Sequence, residues 1–278
     1  MSDQALTILL AILTYALIAI ALTTIGLLLF SGRLGEKGLK LGPTRDLGLP
    51  PQLYLVGIVG TLLYSTCLLT VSEQSPKALQ LVAAFFPLML AGLLIGQSMQ
   101  APAGLRKIGL LPRHPARDLW WGVAAGIVGL GLAGGVGMLV NAIYYMVAGE
   151  PVDPVAHTLL KELRDDFSAE LLAEIIISAV ILAPLLEELV FRGLFQTSLV
   201  RVFRGMRWPA LLIASAVFAV IHWSVVPWHG ILPLFALGLV FGYIYERTGS
   251  LLTPIIAHAV FNALNVTMAV VMPELPAG

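Results

Sequence analysis

Long apolar runs separated by short polar stretches organise this chain. The runs cover residues 5–30, 52–72, 78–98, 119–148, 171–199, 209–227, 230–246 and 251–272. A helix needs about 20 such residues to cross a hydrocarbon core of about 30 Å. The pattern therefore predicts an all-α, polytopic membrane protein of about eight transmembrane helices. The separators GRLGEKGLKLGPTRDLGLPP (32–51), SEQSPK (72–77), QAPAGLRKIGLLPRHPARD (100–118) and RVFRGMRWP (201–209) carry the Gly, Pro and charge that end helices at an interface. The run Ala5–Phe30 is far longer than the apolar part of a secretory signal, and no basic residue precedes it, so it reads as a retained first span. By this count, residues 1–150 hold about four spans and residues 151–278 about four more.

Composition agrees with that reading. The chain of 278 residues is 58% hydrophobic and 12% charged, with a mean hydropathy of +0.92, well outside the range of soluble domains. Sixteen basic and sixteen acidic residues cancel, so net charge gives no reason to expect a nucleic-acid partner. The single cysteine, Cys67, excludes an intrachain disulfide and reads as packing.

The placement of charge is more informative than its sum. Alternate loops put Arg33, Lys37, Lys40, Arg45, Arg106, Lys107, Arg113, Arg117, Arg201, Arg204, Arg207 and Arg247 on one side, against Lys77, Lys161 and Arg164 on the other. By the positive-inside rule the first side is cytoplasmic, which implies an even number of spans with both termini outside. Trp120, Trp121, Trp208, Trp223 and Trp228 fall near span ends, as an aromatic belt would. The acidic stretch 149–170 reads as a solvated amphipathic segment, with a lid or partner surface as the alternative, and GLGLAGGVG at 129–137 as a face for close helix packing.

A charge near the bilayer centre costs at least about 2.5–3.5 kcal/mol, so ionisable groups inside the spans are candidates for function. They gather in the last four spans: Glu187, Glu188 and Arg192 in the fifth, His222 in the sixth, His258 with Asn262 in the eighth. Glu188 and Arg192 are four apart with the acid first, the favourable order for a pair on one helix face. Glu187 is turned about 100° from Glu188 and about 140° from Arg192, so it points elsewhere and is free to act as a general base. Counted from the basic-side helix ends, Glu187, His222 and Asn262 lie roughly 20, 21 and 18 Å deep and His258 about 12 Å. Three helices thus bring polar groups to nearly one level. Phe218 sits one turn before His222.

In order, these residues form three motifs: EELVFR at 187–192 fits EExxxR, FAVIH at 218–222 fits FxxxH, and HAVFN at 258–262 fits HxxxN. On successive apolar helices they resemble the CPBP (Abi) family of intramembrane glutamate proteases, which includes the CAAX prenyl endopeptidases and bacteriocin-processing proteins. The resemblance covers about the C-terminal third of the chain and would make 151–278 the catalytic core.

The family implies an endopeptidase that acts on membrane-associated peptides or proteins within the bilayer; the expected setting is a bacterial or archaeal cell membrane, with the site nearer or open to the cytoplasmic side. Glu187 would activate a water, with help from His222. His258 and Asn262 would donate to the oxyanion, and Glu188, Arg192 and Phe218 would support them. It implies no cofactor, although Glu187, His222 and His258 also make a conceivable zinc set. Two other readings stay open: a non-proteolytic membrane scaffold or immunity and regulatory partner, and a proton-coupled transporter. For the transporter, the paired inverted repeats expected of such folds have no counterpart to Pro184 in the first half.

Overall fold

A computed structural model describes residues 41, 49–71, 75–100, 104–149 and 167–271. Seven helices among them are long and apolar enough to cross a membrane: α1 Pro51–Thr70, α2 Lys77–Gln100, α3 Pro115–Ala148, α4 Ala169–Val202, α5 Arg207–Ser224, α6 Trp228–Thr248 and α7 Leu252–Val271. They correspond to the second to eighth predicted runs. The first run, 5–30, lies outside the described residues, as does most of the acidic stretch 149–170. No strand occurs among the described residues, so the all-α polytopic architecture is as predicted.

Local chemistry sets the helix ends. α3 starts with Pro115 in its first turn, where a missing N–H costs nothing, and stops at Gly149, whose left-handed φ of 74° turns its N–H back to the Tyr145 carbonyl. α6 stops in the same way at Gly249, φ 72°, on the Tyr245 carbonyl. At α4 the Ser168 side chain accepts the Leu171 N–H as an N-cap.

Two of these helices depart from plain α geometry. α4 contains two π-helical stretches, Ile176–Leu182 and Leu189–Gln196, on either side of the α-helical Ala183–Glu188. α5 tightens into a 3₁₀ turn at Ile221–Ser224, so His222 stands where the α-helix has just ended. Both departures fall on residues of the candidate site, where such irregularities concentrate.

α3 packs along both α6 and α7, joining the first half of the sequence to the second. Glycine makes this approach possible. A Cβ on Gly122 would meet Ile256 at 2.7 Å, one on Gly126 the Ala257 carbonyl oxygen at 2.7 Å, and one on Gly129 the Leu237 side chain at 2.9 Å. The run 129–137 divides at this point. Gly129 serves close packing as expected, whereas Gly131, Gly134 and Gly137 line a cavity, and a Cβ on Gly137 would meet only Pro233, at 3.6 Å. Their small size leaves space there instead of closing it.

This packing predicts that Gly126→Val, which must displace the α7 backbone, lowers stability by about 1–3 kcal/mol. Gly96→Val, where a Cβ has nothing within 4 Å, should change it by less than about 0.5 kcal/mol. Unfolding midpoints of the detergent-solubilised variants measure the contrast.

Candidate active site

The site begins with the backbone of α4. In the first π stretch the Ala183 N–H donates to the Ser178 carbonyl, five residues back. Continuing that register would have residue 184 donate to Ala179, but residue 184 is a proline with no N–H. The Ala179 carbonyl is therefore left over, and Asn262 Nδ2 on α7 donates to it at 2.7 Å. Pro184 thus leaves a part-buried acceptor that anchors one sequence-predicted residue.

One turn further on, Glu188 and Arg192 form the i,i+4 pair that their spacing predicts, with Arg192 Nη1 donating to Glu188 Oε1 at 2.9 Å. Both side chains are buried, at 0% and 1% exposure. The other guanidinium arm donates from Nη2 to the Gly238 carbonyl of α6 at 3.1 Å. Its face lies over the Phe218 ring, 4.6 Å from the centroid, and over Phe241 at 5.5 Å. Cation–π attraction and hydrogen bonds replace part of the hydration this charge loses. Glu188 Oε1 also accepts from His258 Nδ1 at 2.9 Å. One carboxylate oxygen therefore joins α4 to α7.

Glu187 has a different environment. It is 20% exposed and lines a cavity of about 640 Å³ together with His222, His258 and Asn262. Its Oε2 lies 4.0 Å from His222 Nε2 and 3.9 Å from His258 Nε2. The opposite nitrogens of both rings are committed. His222 Nδ1 lies 2.7 Å from the Phe218 carbonyl, which can only accept, and His258 Nδ1 faces the Glu188 carboxylate. Each Nδ1 therefore carries a proton, and in the neutral ring each Nε2 presents a lone pair. Three acceptors converge, and Glu187 Oε2 has no hydrogen-bond partner.

Such a set can be satisfied by something that donates protons or by a cation. Around a tetrahedral zinc with 2.0–2.2 Å bonds, ligand atoms stand roughly 3.4 Å apart. The wider separations of 3.9 and 4.0 Å suit a water at about 2.8 Å from Glu187 Oε2 and from one Nε2, one proton going to each. No group of three His, Cys, Asp or Glu among the described residues is gathered tightly enough to hold a metal ion.

The structure brings Glu187, His222 and His258 together and places Asn262 on the same cavity. Phe218 sits between them, with its ring centroid 4.8 Å from the His222 ring and 5.9 Å from the His258 ring. Three contributors were not among the predicted site residues. Phe241 stacks on the His258 ring at 4.9 Å, and Asn265 lines the cavity. Asn141 lines it from α3, with a buried Oδ1 that lacks a partner. A lone amide in the apolar run LVNAIYY was the signal for Asn141; Phe241 carries no such mark.

The buried pair makes a sharp prediction. Arg192→Met leaves Glu188 without its cation and should destabilise the protein by about 3–5 kcal/mol. Adding Glu188→Gln removes the stranded charge and should recover much of that loss. A double-mutant cycle on unfolding midpoints measures the coupling.

Comparison with known families gives one match. Residues 169–264 match the family model described as Type II CAAX prenyl endopeptidase Rce1-like. The match agrees with the resemblance carried by EELVFR, FAVIH and HAVFN, and it supports a CAAX-type intramembrane protease role in general terms. With the seven long apolar helices it identifies an integral membrane protein. The matched segment runs from the first turn of α4 into α7, so it contains all three motifs and leaves out Asn141. No curated protein and no solved structure matches the chain.

Proposed function

We propose that this protein is an endopeptidase that hydrolyses peptide bonds of membrane-associated peptides or proteins inside the bilayer, without a metal. The observation that carries the reading is the convergence of Glu187 Oε2, His222 Nε2 and His258 Nε2 at one cavity wall. A water there donates to Glu187 Oε2 and to His222 Nε2 and is held with its lone pairs toward the cavity. As its oxygen bonds to the scissile carbonyl carbon, its proton passes to Glu187, which is general base catalysis. When the C–N bond breaks, Glu187 returns that proton to the departing amine. His222, its tautomer fixed by the Phe218 carbonyl, orients the water.

His258 and Asn262 serve the oxyanion. In its protonated form His258 can donate from Nε2, and the Glu188 carboxylate stabilises that charge as a buried acid does behind a catalytic imidazole. Asn262 gives one N–H to Ala179 and keeps the other for substrate. The cavity, with its glycine-lined wall on α3, has room for an extended segment whose carbonyls are exposed, as a helix would not permit. By the positive-inside rule the basic end of the bundle, with Arg106, Arg113, Arg201 and Arg247, faces the cytoplasm.

The test compares membranes that hold wild-type protein with membranes that hold Glu187→Gln, reading new peptide termini by mass spectrometry. Glu187→Gln keeps shape and should lower the cleavage rate by about 10²–10⁴-fold, and chelators should leave the wild-type rate unchanged. Wild-type cleavage by correctly inserted Glu187→Gln would favour a non-proteolytic scaffold instead. Loss of activity on chelation, restored by zinc, would favour the metal reading.

A further inference from the structure

A second cavity, of about 380 Å³, lies at the basic end of the bundle. It forms where the segment between α2 and α3 is fastened to the turn between α6 and α7. The Leu251 N–H donates to the Gly109 carbonyl at 2.9 Å, and Ser250 Oγ to the same oxygen at 3.3 Å. Gly109 has φ 81°, and a Cβ there would stand 2.5 Å from the Gly249 carbonyl oxygen, so glycine is required for the two backbones to meet. Ile108 and Leu251 are fully buried on either side of this junction. The walls of the cavity are therefore anchored in the core.

Its rim carries Arg106, Lys107, Arg113, His114, Arg117 and Arg247. Of the two acids beside them, Glu246 is paired through both oxygens and Asp118 through one, its Oδ2 being buried without a partner. Asp118 Oδ1 accepts from Arg117 at 2.8 Å, while Glu246 accepts from Arg207 at 2.7 Å and from Gln196 at 2.9 Å. Arg106, Lys107 and Arg113 make no ion pair among the described residues. The first turn of the 34-residue α3 opens on the same space, and the His114 side chain does not cap it. A helix start adds positive potential and free N–H groups. Exposed Leu111, Leu119, Trp120 and Trp121 flank this basic rim.

The cations of Arg106, Lys107 and Arg113 in a preformed recess, bordered by apolar side chains at the end of a membrane-crossing helix, match an amphiphile with a phosphate head. We propose that this cavity binds the headgroup of an anionic phospholipid, with its phosphate held by Arg106, Lys107 and Arg113 and its chains lying along Leu119 and Trp120.

The experiment reads lipid retention by native mass spectrometry, on full-length protein released from phosphatidylcholine nanodiscs with and without phosphatidylglycerol. Wild-type protein should keep phosphatidylglycerol in preference to phosphatidylcholine. Arg106→Gln combined with Arg113→Gln should lower that retention about thirtyfold, on the scale of about 1 kcal/mol for each of the two basic residues at an anionic surface. Arg201→Gln combined with Arg204→Gln removes equal charge at the same end but outside the cavity, and should leave retention unchanged. Equal losses in both pairs, or no preference in the wild type, would overturn the proposal, since diffuse surface charge would then suffice. Inorganic phosphate that binds with the same dependence on Arg106 and Arg113, with no lipid retained, would overturn the lipid assignment. Unfolding midpoints of both pairs guard against misfolding as the cause of a loss.

Discussion

A single carboxylate oxygen, Glu188 Oε1, organises the site. It accepts from Arg192 within α4 and from His258 on α7, each at 2.9 Å, while the second arm of Arg192 reaches the Gly238 carbonyl on α6. Three helices are therefore tied through one ion pair that water does not reach. Charges buried this deeply cost several kcal/mol each in lost hydration, and their attraction offsets that cost only when geometry and hydrogen bonding are good. The Phe218 and Phe241 faces over Arg192 provide part of that geometry. The consequence is positional: with Nδ1 of His258 held by Glu188, its Nε2 is turned toward Glu187.

The remaining constraints act on space and backbone. A regular α-helix at 176–196 would leave no spare carbonyl at Ala179 and no anchor for Asn262. The π register and Pro184 together create both. Ending α5 in a 3₁₀ turn sets His222 beside the cavity while its Nδ1 still reaches back to Phe218. On the far wall, glycines of α3 that approach α6 and α7 closely give way within a few residues to glycines that leave a void. One short segment therefore both packs the bundle and opens the chamber.

Much of this was legible in the sequence. Apolar run length gives the described spans, because the bilayer thickness fixes how many residues a crossing needs. The i,i+4 rule gives the Glu188–Arg192 pair, and the angular offset of one residue separates Glu187 from it. What could not be read depends on contacts between distant segments or on backbone register. His258 and Glu188 are 70 residues apart, and nothing local links them. α and π turns share the same apolar composition, so the freed Ala179 carbonyl leaves no mark. The basic residues of 104–117 and 247 indicated orientation by their number, but their convergence on one recess depends on the Gly109 and Gly249 turns.

If the site works as proposed, Glu187 Oε2 and a neighbouring imidazole Nε2 hold a water where a peptide carbonyl can meet it. An experimental structure of the protein in lipid, at a resolution that shows ordered solvent, tests this most directly. The expected result is a water lying about 2.8 Å from Glu187 Oε2 and from at least one of the two Nε2 atoms. A metal ion at about 2.0–2.2 Å from all three, or His222 and His258 turned away from Glu187, would contradict it.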